Sequence, residues 1–274
     1  MKKGKCRLCA KDTILHLSHV WPSYAYKRYA VDQAKGGQFV DFHKMRNSNR
    51  QYKEYWFCSG CEQRIGATEN YGRLLCDQLE TGKTPTFNYD ERLLQVITSI
   101  SWRSAMFHLA GGGSGRHKGC ADALKKWRKY LFGLAEDVGM YSQHLFFAFK
   151  PDSVMHKRLG GQIFLEQQVV VSQVGPLTIA ALLGRSHLSA RERAIWDRSR
   201  IVKAGGVIKP LDAWRVGSEI TLGLMKVLGS IEANTANKAL DLLSSGRIGP
   251  RGDATHFGPR GGMADTGDLK SPLA

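Results

Sequence analysis

Long apolar runs are missing from this sequence: nothing approaches the roughly 18 uninterrupted apolar residues that a membrane-crossing helix needs, so none is expected. The opening "MKKGKCRLC" is basic but lacks the apolar stretch of a secretory signal, and a soluble, cytoplasmic chain is expected. Internal repeats are absent. The glycine-rich "GGGSG" at 111–115 lacks the Lys-Ser/Thr of a phosphate-binding loop, which excludes that motif and leaves a hinge. Carboxylates are also scarce, with 24 Asp and Glu against 40 Lys and Arg, a formal net charge of +16. Such a balance attracts polyanions. Many of the cations lie near the N-terminus (Lys2, Lys3, Lys5, Arg7, Lys11, Lys27, Arg28, Lys44, Arg46, Arg50, Lys53, Arg64). Nucleic acid is the expected partner, DNA ahead of RNA. The alternative is a basic surface that only maintains solubility.

Cysteine is too sparse for a disulfide scaffold, at six residues in 274. Four of the six form two Cys-x-x-Cys pairs, Cys6/Cys9 and Cys58/Cys61. Each pair makes a tight turn that points two thiolates at one place, and two such turns build a tetrahedral four-sulfur zinc site. A closed site of this kind leaves no coordination position open, so the zinc is structural. The competing reading is two separate turns with buried or redox-active thiols. Cys76 and Cys120 stand alone in apolar helical patterns and read as core.

The 274-residue chain divides by pattern. Residues 1–80 hold both knuckles, the hairpin "ILHLSHVWP", a helix "PSYAYKRYAVDQA" opened by Pro22, a loop "KGGQFVDFHKMRNSNRQ", an aromatic strand "YWFC" and a helix "ENYGRLLCDQLE". Residues 85–138 are helical, with Leu93, Leu94, Ile97, Ile100 and Ala105 at helical spacing. Residues 140–246 carry the β-rich runs "QHLFFAFK", "GQIFLEQQVVVSQV" and "LTIAALLG", a short helix from Ser189 and a long closing helix from "SEITLGLMKVLG". Residues 247–274 have few apolar residues and read as a disordered tail. The expected fold class is α+β: a zinc-stapled N-terminal segment, a helical middle and a β-rich C-terminal part closed by a helix.

The order Cys-x-x-Cys, "LSHVWP", Cys-x-x-Cys resembles the cysteine-bearing HNH endonucleases, whose treble-clef, ββα-metal fold is stapled by such a zinc. In that family a hairpin strand carries a general-base histidine, and a catalytic divalent ion sits between hairpin and helix. Residue by residue, His19 falls on the base and Pro22 on the proline that follows. Ser18 falls where the family has a metal ligand. The family's His after the fourth cysteine is Glu62 here, and Lys53-Glu54-Tyr55 stand where it has Asn before the third. The resemblance implies that Glu62 and Glu69 offer carboxylates to Mg²⁺ or Mn²⁺ beside the structural Zn²⁺. A neutral histidine suits the base role, since its pKa lies near working pH. The implied function is metal-dependent cleavage of nucleic-acid phosphodiesters, in phage defence or mobile-element competition. The alternative is a non-catalytic zinc module that binds nucleic acid or a partner, and an enzyme with its site in the β-rich part is a third reading.

"CxxC…SHxxPxxxYK", "CxxCEQRxG", "YDERLL" and "SxSWR" also resemble, over residues 5–110, a bacterial family in which an HNH-like zinc segment precedes a helical and β-rich remainder. "GGMADTGDLKSP" in the tail resembles one reading frame of a leucine tRNA gene, a usual attachment site of mobile elements. Of the other candidates, His16 and His43 are weaker metal or site residues, and Trp56, Trp102 and Trp127 read as core.

Overall fold

The computed structural model describes residues 2–29, 39–41, 46–48, 51–81, 87–110, 118–147, 158–164, 168–175, 177–184, 194, 196–197 and 199–208. His43, the 111–115 glycine run, the closing helix and the tail lie outside the described residues. The chain is mixed α and β, with several antiparallel sheets. Among the described residues no helix is long and apolar enough to cross a membrane.

A three-stranded sheet begins the chain, in the order β1 (Lys2–Lys5), β2 (Asp12–His19), β5 (Lys53–Phe57). β1 and β2 are antiparallel, with Lys5 opposite Asp12, so the first Cys-x-x-Cys pair is their connecting turn. β2 and β5 are also antiparallel, with a register shift between His16 and Leu17. α1 (Ser23–Arg28) follows Pro22, which occupies its N-cap with φ −51° and ψ 135°. Proline's fixed φ suits this helix start, and Pro22 reads as expected.

"ENYGRLLCDQLE" is not a separate helix. It is the second half of α2 (Ser59–Thr81), a 23-residue helix that starts at the second knuckle and runs through Gly66 and Gly72. Glycine costs about 1 kcal/mol per helical position, which is too little to stop a helix buried along one side. The Gly72 Cα lies so close to α3 (Glu91–Ala110) that a Cβ there would meet Val96 Cγ1 at 2.9 Å and Tyr24 Oη at 3.0 Å.

α3 is the axis of the molecule. Every residue from Leu93 to Ala105 except Gln95 is buried, because α2, α4 (Lys118–Phe132) and a large sheet all pack on it. That sheet has seven strands, in the order β11 (Arg200–Ile201), β7 (Gln143–Phe147), β10 (Leu177–Leu182), β9 (Val169–Val174), β8 (Arg158–Phe164), β3 (Phe39–Asp41), β4 (Arg46–Ser48). β9 is buried at all six positions, which is why it reads as a continuous valine-rich run and shows no alternation. Its partners β8 and β10 are antiparallel to it, as the β-rich pattern predicts.

The stretch "KGGQFVDFHKMRNSNRQ", expected as a loop, supplies β3 and β4, and β3 pairs with β8 in parallel. The β-rich run "GQIFLEQQVVVSQV" supplies two strands, β8 and β9. A small sheet joins β6 (Phe87–Tyr89) to β12 (Gly206–Ile208). Cys76, Cys120, Trp56, Trp102 and Trp127 are buried, as expected of core residues. His144 is also buried, with Nε2 2.8 Å from Ser142 Oγ and Nδ1 3.1 Å from Ser199 Oγ.

Candidate metal centre and the histidine beside it

The first knuckle closes through two backbone bonds, Cys6 N–H to Lys11 O and Ala10 N–H to Cys6 O, both 2.9 Å. Ala10 takes a left-handed φ of 64° to complete the turn. The second knuckle forms where β5 gives way to α2, so Cys58 precedes the helix and Cys61 lies in its first turn. Arg7 N–H donates to Trp56 O at 2.8 Å and clips the first knuckle to β5. Arg128, from α4, donates its Nε–H to Leu8 O at 2.8 Å.

These clips bring the four cysteines together, with their Sγ atoms all within 4.8 Å of one another. Cys9 Sγ and Cys58 Sγ are 3.9 Å apart. Zinc with Zn–S bonds of about 2.3 Å in a tetrahedron spaces its sulfurs by about 3.8 Å, so the donor set fits that ion. The electrostatics agree. Burial pushes the Cys6 thiol up, but the amides of Cys9, Cys58 and Leu8 outweigh it and bring the pKa down to about 7. The Cys61 thiol is pushed well up by burial and by its crowded neighbours Cys58, Cys6 and Cys9. Four thiols this close resist ionising together unless a cation shares their charge. The cluster could therefore hold a structural metal such as zinc, and both Cys-x-x-Cys pairs act on one centre.

β2 runs from this centre to His19. Ser18 is buried, and its Oγ donates to Glu62 Oε2 at 2.5 Å. Glu62 lies in the first turn of α2, where a carboxylate also suits the helix dipole. His19 is half-buried, with Nε2 3.0 Å from Gln51 Oε1 and its ring 5.5 Å from that of Tyr26. With Gln51 Oε1 as acceptor, Nε2–H donates and the Nδ1 lone pair is left as the basic one. Burial lowers the His19 pKa below its ordinary value. The Gln51 hydrogen bond opposes that shift, as does the Glu69 charge, while Lys53 and Arg103 reinforce it.

Arg103, from the "SxSWR" stretch, is the residue that sequence reasoning missed. It is 2 % exposed and donates from Nη1 to the backbone oxygen of His19 at 2.9 Å. Its Nη2 lies 2.6 Å from Glu69 Oε1. Glu69 thus meets Arg103, Glu62 meets Ser18, and the His19 ring meets Gln51. Among the described residues, the four cysteines are the only group of three or more Cys, His, Asp and Glu whose ligand atoms gather tightly enough for one ion. His16 is exposed opposite Phe57.

No protein-family model, no curated protein and no solved structure matches the chain.

Proposed function

We propose that the chain is an HNH-like nuclease that cleaves nucleic-acid phosphodiesters, with the zinc centre as its staple and His19 as general base. The observation that carries this reading is the order of parts around the metal centre. A knuckle, the antiparallel pair β2 and β5, and a helix starting at the second knuckle follow one another, and His19 ends β2 beside the first turns of that helix. The reading takes this order of parts as the counterpart of the ββα arrangement that the resemblance implies.

In this reading His19 Nδ1 takes a proton from water, the water oxygen attacks phosphorus, and the ester oxygen leaves. The low pKa keeps the ring neutral and able to accept that proton. Arg103 holds the strand end through the His19 carbonyl, so the ring's position does not depend on β2 alone. A divalent ion, when bound, would polarise the phosphoryl oxygen. In this reading Glu62, whose Oε2 accepts from Ser18, would be the carboxylate that meets it, since Glu69 is in an ion pair with Arg103. These side chains do not form a ready three-ligand site, and the proton transfer above runs through His19 only.

The binding-module reading rests on a specific observation too: every candidate catalytic side chain already has a structural partner. Cleavage of plasmid and single-stranded DNA with Mg²⁺ or Mn²⁺ separates the two. His19→Ala is expected to keep the zinc and the DNA affinity and to lose about two to four orders of magnitude in rate. The acidic limb of the wild-type pH–rate profile is expected below the ordinary histidine value of 6.5, since protonation of the base stops the reaction. Zinc-loaded wild type that binds DNA yet never cuts it would leave the binding module standing.

A further inference from the structure

A cleft of about 400 Å³ lies on the knuckle side of the three-stranded sheet, over Leu15. Five of its lining residues are cationic, Lys2, Lys3, Lys5, Arg7 and Arg128; Lys2 shares the Leu15 face of β1, while the strand's alternation turns the Lys3 and Lys5 side chains to the other face. No carboxylate lines it, and among the described residues no ion pair engages any of the five. Three different elements supply them, namely β1, the first knuckle and α4. The Arg128 Nε–H bond to Leu8 O fixes one wall to the metal centre. The last lining side chain of note is Tyr55 of β5, an aromatic ring 39 % exposed. Opposite Tyr55 in the β2–β5 register stands Leu17, itself 49 % exposed.

Unpaired cations gathered in a concave site repel one another, and an anion that bridges them relieves the repulsion. One phosphate would satisfy one or two of them. A row drawn from three elements fits a chain of phosphates. The exposed ring adds a second requirement, because an aromatic platform beside a cationic groove gains from a flat base laid upon it. A duplex keeps its bases stacked inside and offers a surface ring only its backbone. A single strand offers both phosphates and base faces.

We infer that this cleft is a binding groove for single-stranded nucleic acid, in which Lys2, Arg7 and Arg128 take successive phosphates and Tyr55 stacks on a base. The inference deepens the nucleic-acid reading above by naming the substrate form and the surface that holds it. It does not require His19 to be a base.

The test uses the full zinc-loaded chain carrying His19→Ala, with fluorescein-labelled oligothymidylate and a duplex of equal length as anisotropy probes. Neutralising three cations at once (Lys2→Gln, Arg7→Gln, Arg128→Gln) is expected to weaken single-strand binding at least tenfold. It should also flatten the log–log salt dependence by about two, because each lost phosphate contact removes about 0.7 from the slope. Tyr55→Ala is expected to cost about tenfold on the single strand and leave the duplex unchanged, as stacking terms of this kind do. Zinc content and melting temperature monitor folding in each variant. Wild-type affinity and slope in the triple variant would overturn the inference, as would equal effects of Tyr55→Ala on both probes. Groove-dependent binding by a wild type that never cleaves supports the groove and defeats the nuclease. Cleavage with unchanged KM when the same three substitutions are made in the chain with His19 intact does the reverse.

Discussion

A guanidinium buried as deeply as Arg103 is several kcal/mol unfavourable unless its charge and its donors are met. Here Glu69 Oε1 meets the charge as an ion pair with Nη2, while the His19 carbonyl accepts from Nη1 and the Ser99 carbonyl from Nε at 3.3 Å. Removing the carboxylate strands the cation in the core. Glu69→Gln is therefore expected to destabilise the fold by about 3 kcal/mol, the usual cost of breaking a buried pair. Glu69→Gln with Arg103→Met should recover much of that loss, since both charges are then gone. Urea denaturation of the four species in this cycle measures it. A single Glu69→Gln variant of wild-type stability with weakened Mg²⁺ or Mn²⁺ binding would show that the carboxylate serves an ion instead, as the HNH resemblance implies. Sequence patterns do not distinguish these roles, because Glu69 occupies one position on a helix whichever neighbour it meets.

At the scale of elements, locally encoded features were legible and pairings between distant segments were not. The apolar spacing of Leu93, Leu94, Ile97 and Ile100 marks α3 as a helix with a buried face. It does not show that the other side of the helix is buried too, where Val96 packs at Gly72 of α2 and Arg103 meets Glu69. Both Cys-x-x-Cys pairs were legible because sulfur spacing has few other uses. β3 and β4 were read as loop because "FVD" and "RNS" have no strand signal of their own, and β3 is a strand only through its pairing with β8 and β4. The sequence reading gives only the second half of α2, from Glu69 and through Gly72, and the helix in fact starts at Ser59; its two glycines differ in role. A Cβ at Gly66 would meet nothing within 4 Å, whereas one at Gly72 would meet Val96 and Tyr24. Gly66→Ala should stabilise the protein by about 0.5–1 kcal/mol through helix propensity. Gly72→Ala should destabilise it by about 1–2 kcal/mol, because overpacking against α3 exceeds the same propensity gain. Pairing Gly72→Ala with Val96→Ala makes room and should restore part of the loss. Thermal melts that show both glycines responding alike would contradict this account of the α2–α3 crossing.

Across the whole molecule, one contiguous apolar cluster runs from Cys6 and Leu8 at the metal centre, through α3, to Ile179 and Ile201 in the large sheet. The link from the cysteine cluster to α3 is explicit: Phe57 of β5 stacks on Trp102 of α3, with ring centroids 5.8 Å apart and planes at 19°. Trp21 and Tyr52 meet Phe107 of the same helix at 5.8 and 5.2 Å. Losing the staple therefore should not melt the first hairpin in isolation, because the hairpin's inner face is part of the core that supports α3. Cys58→Ser removes one of four ligands and the fit for a tetrahedral ion, and the binding energy of a structural zinc is folding energy. The expected result is a large fall in melting temperature, with tryptophan fluorescence and far-ultraviolet circular dichroism changing together in one transition. Stripping zinc from the wild type with a chelator should reproduce it, and returning zinc should restore the wild type but not the Cys58→Ser variant. Two separate transitions, an early one in fluorescence and a late one in the sheet signal, would show that the metal-bound hairpin folds independently of α3. Purified protein without zinc that melts where the loaded protein melts would remove the metal from the account altogether.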